Sequence, residues 1–172
     1  MATKLKRQFV QESESFVHSL LDAQDIATLA AVATRQLVAL GFYEVQLLWN
    51  QLPGDMGSLQ TSTLQPPDPG TLGLLESARR LNGLSQRTDP ASGAVQLVWV
   101  VAQNTGLWVA LSAHFDAANV DLDWRAKLGP LSARCQSLLY TQRLQVDVHQ
   151  RRLQQRPVLK FGKGIEHFGC RA

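Results

Sequence analysis

The chain has 172 residues and a mass of 19.0 kDa, which fits one ordinary domain with a few extra turns or a tail and argues against two complete domains. Hydrophobic residues make up 45% of it and charged residues 18%, enough apolar material for a core and too little charge for a disordered chain. The net charge of +3 is too small an excess to point to nucleic acid or an anionic membrane unless the basic groups cluster.

The opening Met1 to Arg7 is basic, but Gln8, Gln11, Glu12, Ser13, Glu14 and Ser15 interrupt any apolar run behind it, so no export signal is expected. The longest apolar stretches, Ile26 to Leu40 and Val95 to Ala102, carry polar residues or fall short of the roughly 20 residues a bilayer needs. No membrane partner is expected. Cys135 and Cys170 form neither a disulfide framework nor a zinc-type spacing, and a reducing cytoplasm is the simplest location.

Gln8 to Asp22 carries Phe9, Phe16, Val17, Leu20 and Leu21 at helical intervals. Asp25 then stands as an N-cap before the apolar face Ile26, Leu29, Ala30, Ala33, Leu37 and Leu40, with Gly41 where a helix ends. Phe42 to Gln51 alternates as a strand, closed by Pro53-Gly54-Asp55, and Leu59 to Gln65 suits a second strand. Pro66-Pro67-Asp68-Pro69-Gly70 turns the chain, and Thr71 is placed to cap a short helix through Leu81. Ser85 to Ala94 reads as a polar loop. Val95 to Gln103 and Leu107 to Phe115 make a hairpin around Asn104-Thr105-Gly106. A helix follows from about Asp123 to Gln155, interrupted at Gly129-Pro130, with Leu139, Val146 and Leu153 at seven-residue intervals. A single domain over 1–155 is expected, and 156–172 lacks periodicity and reads as a disordered or appended tail.

The order α-α-β-β-α-β-β-α implies an α+β fold, a central antiparallel sheet with the N- and C-terminal helices packed on one face. At this point the chain is similar to GAF domains. The likeness runs through Leu21 to Asp25 into Leu29 to Ala33, then Gly41-Phe42-Tyr43-Glu44-Val45-Gln46-Leu47-Leu48-Trp49, Gly106 to Leu111, and Leu128 to Leu144. It spans about residues 8 to 155 and rests on pattern and element order. The resemblance implies a small-molecule pocket between the sheet and the segment joining its second and third strands, here Leu59 to Ala94. It also implies terminal helices that dimerise and lead into an output domain.

Within the last strand, Leu107, Val109, Leu111, Ala113 and Phe115 share a core face, while Trp108, Ala110, Ser112 and His114 share the other. An aromatic wall with small hydrogen-bonding groups suits a partly apolar ligand pocket, and Trp49 and Trp99 on neighbouring strands could extend it. The plainer alternative is that the tryptophans fill core or cover a dimer seam. His114 with Asp116 is the one histidine-carboxylate pair near this surface, against the ordinary reading of a loop histidine. Cys135, at helical spacing from Leu131 and Leu138, reads as a buried small residue rather than a nucleophile. His18, His149 and His167 stand apart, so no metal is expected.

The residues that attach bilins or reduce methionine sulfoxide in some GAF proteins have no counterpart, since the domain body has one cysteine and no Cys-His dipeptide. The Asn-Lys-x-Asp pattern of cyclic-nucleotide-binding members is absent as well, so no cofactor is expected. Arg134, Arg143, Arg151, Arg152 and Arg156 are interspersed with Gln and Leu and read as a solvated helix face, with no nucleic-acid partner. The expectation is a non-catalytic, small-molecule-sensing regulatory domain of a bacterial signalling protein. The alternative is a dimerisation or protein-interaction module without a ligand, using Phe9, Phe16 and Leu20 with Leu139, Val146 and Leu153.

Overall fold

Helix α1 (residues 14–22) and helix α2 (Ile26–Ala39) are joined by a turn at whose end Asp25 Oδ1 accepts the Thr28 amide at 2.7 Å, the expected cap. The computed structural model describes residues 14–54, 59–81 and 83–155. Gly41 leaves α2 at φ +94°, and a Cβ there would lie 2.4 Å from the Asn119 carbonyl oxygen, so glycine is required on both counts.

The sheet contains β1 (Phe42–Asn50), β2 (Leu59–Thr61), β3 (Leu84–Thr88), β4 (Val95–Asn104) and β5 (Leu107–Phe115). Its strand order is β2-β1-β5-β4-β3, with antiparallel neighbours throughout. The fold is α+β, with helices at both ends of the described residues, consistent with a GAF/PAS-like architecture. The β4–β5 hairpin turns on Thr105 and Gly106, at φ +47° and +86°, as a tight two-residue turn requires.

Helix α3 (Pro69–Arg80) starts from Asp68, which accepts the Thr71 amide at 3.0 Å, so Thr71 stands inside the first turn rather than at the cap. Pro69 at the first helical position lacks the N–H that would be unsatisfied there anyway. Ser85 to Thr88 of the expected polar loop belong to β3, a mostly exposed edge strand paired with β4 from Leu84↔Trp99 to Thr88↔Val95. It carries little apolar alternation because it contributes little to the core.

Two apolar layers hold the sheet. On one face α1, α2 and the long C-terminal helix bury Phe16, Leu20, Leu29, Leu37, Leu131, Cys135 and Leu139 against Leu47, Leu97, Val109 and Leu111. On the other face α3 places Leu75 and Ala78 over Leu48, Val98, Val100, Trp108 and Ala110. The terminal helices therefore share a face, and the helix inserted between β2 and β3 covers the opposite one.

Helix α4 (Trp124–Lys127) and helix α5 (Gly129–Gln154) are separated at the expected Gly129-Pro130 interruption. Arg134 of α5 is not a solvated charge, because it donates to the carbonyls of Leu20, Leu21 and Ala23 at 3.1, 3.2 and 2.5 Å. It satisfies acceptors that the end of α1 leaves open. The apolar stripe assigned to dimer contact also divides differently. Phe16, Leu20 and Leu139 lie in the core, whereas the exposed apolar residues of α5 are Tyr140, Leu144, Val148 and Leu153. Phe9 and the tail 156–172 lie outside the described residues.

Candidate functional site

On the α3 face, beyond the edge of the smaller apolar cluster, lies an open pocket of about 390 Å³. Its floor is the sheet, at Gln46, Gln96, Ser112 and His114, and its wall is the segment from Thr63 to Thr71. Register brings the floor together, since Gln46 pairs with Ser112, Ser112 with Val98, and His114 with Gln96. Side chains of directly paired residues stand on the same face of the sheet.

A bulge in β1 shapes one side. Tyr43 pairs with His114 and Gln46 with Ser112, so Glu44 and Val45 together oppose Ala113, and Glu44 takes φ +49°. This brings Glu44 Oε2 to 3.2 Å from His114 Nδ1, a close contact without the direction of a hydrogen bond. The Tyr43 ring stacks on the imidazole with centroids 5.8 Å apart, while the Tyr43 hydroxyl donates to Asp116 at 3.4 Å. His114 is thus oriented by Tyr43 and Glu44, and the expected Asp116 partner serves the tyrosine instead.

The polar groups of the pocket form two networks. Arg87 Nη2 donates to Gln96 Oε1 at 2.7 Å, Gln96 Nε2 to Thr71 Oγ1 at 2.7 Å, and Thr71 Oγ1 to Asp68 Oδ2 at 2.8 Å. Guanidinium only donates and carboxylate only accepts, so the direction of this chain is fixed at both ends. These bonds with Thr71 hold the Asp68 carboxyl below its ordinary range. In the second network Gln46 Nε2 donates to Thr61 Oγ1, Thr63 Oγ1 and the Gln65 carbonyl at 2.5, 2.7 and 2.9 Å. It ties the loop after β2 to the sheet.

The residues singled out from the sequence are divided between the two faces. Ser112 and His114 line the pocket. Trp108 shares their face but is 1% exposed, packed in the smaller cluster with the Arg79 guanidinium 5.1 Å above its ring. Trp49 and Trp99 do not extend this surface: they pair with Val109 and Leu111 and belong to the opposite layer. Trp99 meets Trp124 edge-on at 5.5 Å. Trp49 instead walls a second pocket of about 390 Å³ between the start of α2 and α5, with Gln24, Gln51, Gln142 and Gln145.

Sequence reasoning missed Gln46, Gln96 and Thr71. The available signal was a polar residue within an otherwise apolar strand face, as at Gln96 beside Val98 and Val100. Cys135 is buried, and desolvation pushes its thiol up to about 12, so it stays protonated. Among the described residues no group of His, Cys, Asp and Glu converges as a metal site would require, and no helix is long and apolar enough to cross a membrane. No family model matches the chain, and no curated protein matches its sequence.

Proposed function

We propose that this chain is a GAF-like regulatory domain of a bacterial signalling protein, working in the cytoplasm as a homodimer, and that it senses a small molecule in the pocket on its α3 face. The observation that supports this reading is the pocket itself, about 390 Å³ between a polar sheet floor and the segment joining β2 to α3. Such a volume suits a small metabolite. Ser112 and His114 face it from β5, while Leu111 and Ala113 of the same strand pack in the layer that includes α5. One strand separates the ligand from the helices that carry the output. The ligand acts by differential affinity for two helix arrangements, since equal affinity shifts nothing. No catalytic step is assigned to the site.

The experiment is to denature purified protein, identify released small molecules by mass spectrometry, and follow melting against a metabolite panel. A stoichiometric compound, or a melting temperature that rises with concentration and stops rising in Ser112→Trp, supports sensing. Empty protein with no such response overturns it. The second reading, a dimerisation or protein-interaction module, is favoured by the exposed Tyr140, Leu144 and Val148 on α5.

A further inference from the structure

Sorting the pocket's polar atoms into those bonded within the protein and those left over indicates the charge of its ligand, given the sensing reading above. The Arg87–Gln96–Thr71–Asp68 chain is closed, with both Asp68 oxygens engaged by Thr71. Gln46 presents its amide nitrogen to the Gln65 carbonyl, which can only accept, so the orientation of that amide is fixed. Its Oε1 receives no hydrogen bond from any described residue. The Ser112 hydroxyl likewise has no partner among the described residues, and one oxygen of the exposed Glu44 carboxylate is uncommitted. The unfilled capacity comprises two groups that only accept, the Glu44 carboxylate oxygen and the Gln46 amide carbonyl, with the Ser112 hydroxyl, which accepts or donates, and the buried His114 Nδ1, which has no hydrogen-bond partner among the described residues.

Fixed charge points the same way. The lining includes Glu44 and Asp68 but no Lys or Arg; the nearby Arg87 donates Nη2 to Gln96 and also lies close enough to Asp68 to offset its charge. An anionic ligand would meet the Glu44 carboxylate with only a serine hydroxyl and an imidazole to donate, Asp68 being engaged by Thr71 and offset by Arg87. A phosphate or carboxylate head is best held by guanidinium groups or a lysine, which the lining does not include.

We propose that the pocket selects a small molecule with a cationic, hydrogen-bond-donating head, a primary ammonium or guanidinium group, seated against Glu44 and Gln46 Oε1 with Ser112 Oγ as a further acceptor, and that it rejects phosphorylated ligands. The contact with Glu44 is partly solvated, so its share is modest and sensitive to salt.

The full chain would be titrated, with amide and side-chain NMR signals observed, against agmatine, putrescine and arginine amide, and in parallel against AMP, inorganic phosphate and glutarate. The expected result is that a cationic probe shifts the signals of Gln46, Ser112 and His114, and that Glu44→Gln weakens it by about fivefold. Because Glu44 is exposed, that variant should keep the wild-type melting temperature. Shifts at these residues from the anionic probes alone overturn the cationic selectivity and leave the sensing reading standing. Unchanged affinity of a cationic probe in Glu44→Gln overturns the assigned seat. Silence to every probe overturns the selectivity, and the released-molecule assay then decides separately whether sensing survives.

Discussion

Which way a tryptophan faces was the residue-scale question, and the answer depended on register. Alternation along β5 separated Trp108, Ser112 and His114 from Val109 and Leu111, and the structure keeps that division. Alternation alone cannot relate one strand to the next, because a shift of one residue moves every side chain to the other face. Trp49 opposite Val109 and Trp99 opposite Leu111 are facts of pairing, so the sequence had no means of placing them in the layer covered by the terminal helices. Trp108 is a core residue beside the pocket rather than a wall of it. Trp108→Ala should therefore cost about 3–5 kcal/mol in urea unfolding, from a cavity beneath α3. A variant with wild-type stability would show that the ring is not packed as described.

At the scale of elements, strong periodicity and capping chemistry were legible, and weakly apolar pieces were not. The bounds of α2 follow from Asp25 and Gly41, and those of β5 from its alternation. β3 escaped because an exposed edge strand needs backbone pairing but few apolar residues. The caps also carry a pH dependence. The backbone and side chain of Thr28 hold the Asp25 carboxyl below its ordinary value of 3.8. A carboxyl depressed in the folded state adds stability above its unfolded value and loses it as pH falls through the folded value. Asp25→Ala should cost about 1 kcal/mol near neutral pH. The gap from wild type should close as the pH falls below about 4, because the wild-type cap is then protonated while the variant has none to lose. A gap that stays constant down to acid unfolding would mean that the charge of Asp25 does not contribute to the cap.

For the whole molecule, the open question is what covers the far part of α5. This helix buries nothing after Leu139, yet it continues to Gln154, about 22 Å further at the usual helical rise. An isolated helical stretch of that length is marginal in water, so a partner for its apolar side would stabilise it. Tyr140, Leu144 and Val148 recur every fourth residue and are roughly half exposed or more. The heptad read from Leu139, Val146 and Leu153 starts in the core, so the seam, if two copies meet, must be the neighbouring stripe. The regulatory reading requires such a meeting, because its output is a change in how the terminal helices of two copies pack on each other. Sedimentation should show a mass rising toward that of a dimer between about 1 and 100 µM, as expected for a short seam of few apolar residues. Leu144→Glu combined with Val148→Glu should hold the protein monomeric with its circular dichroism spectrum and urea midpoint little changed, since neither side chain supports the core. A monomer at all concentrations in the wild type would remove the dimer from the proposed mechanism. A dimer that survives both substitutions would move its seam away from α5.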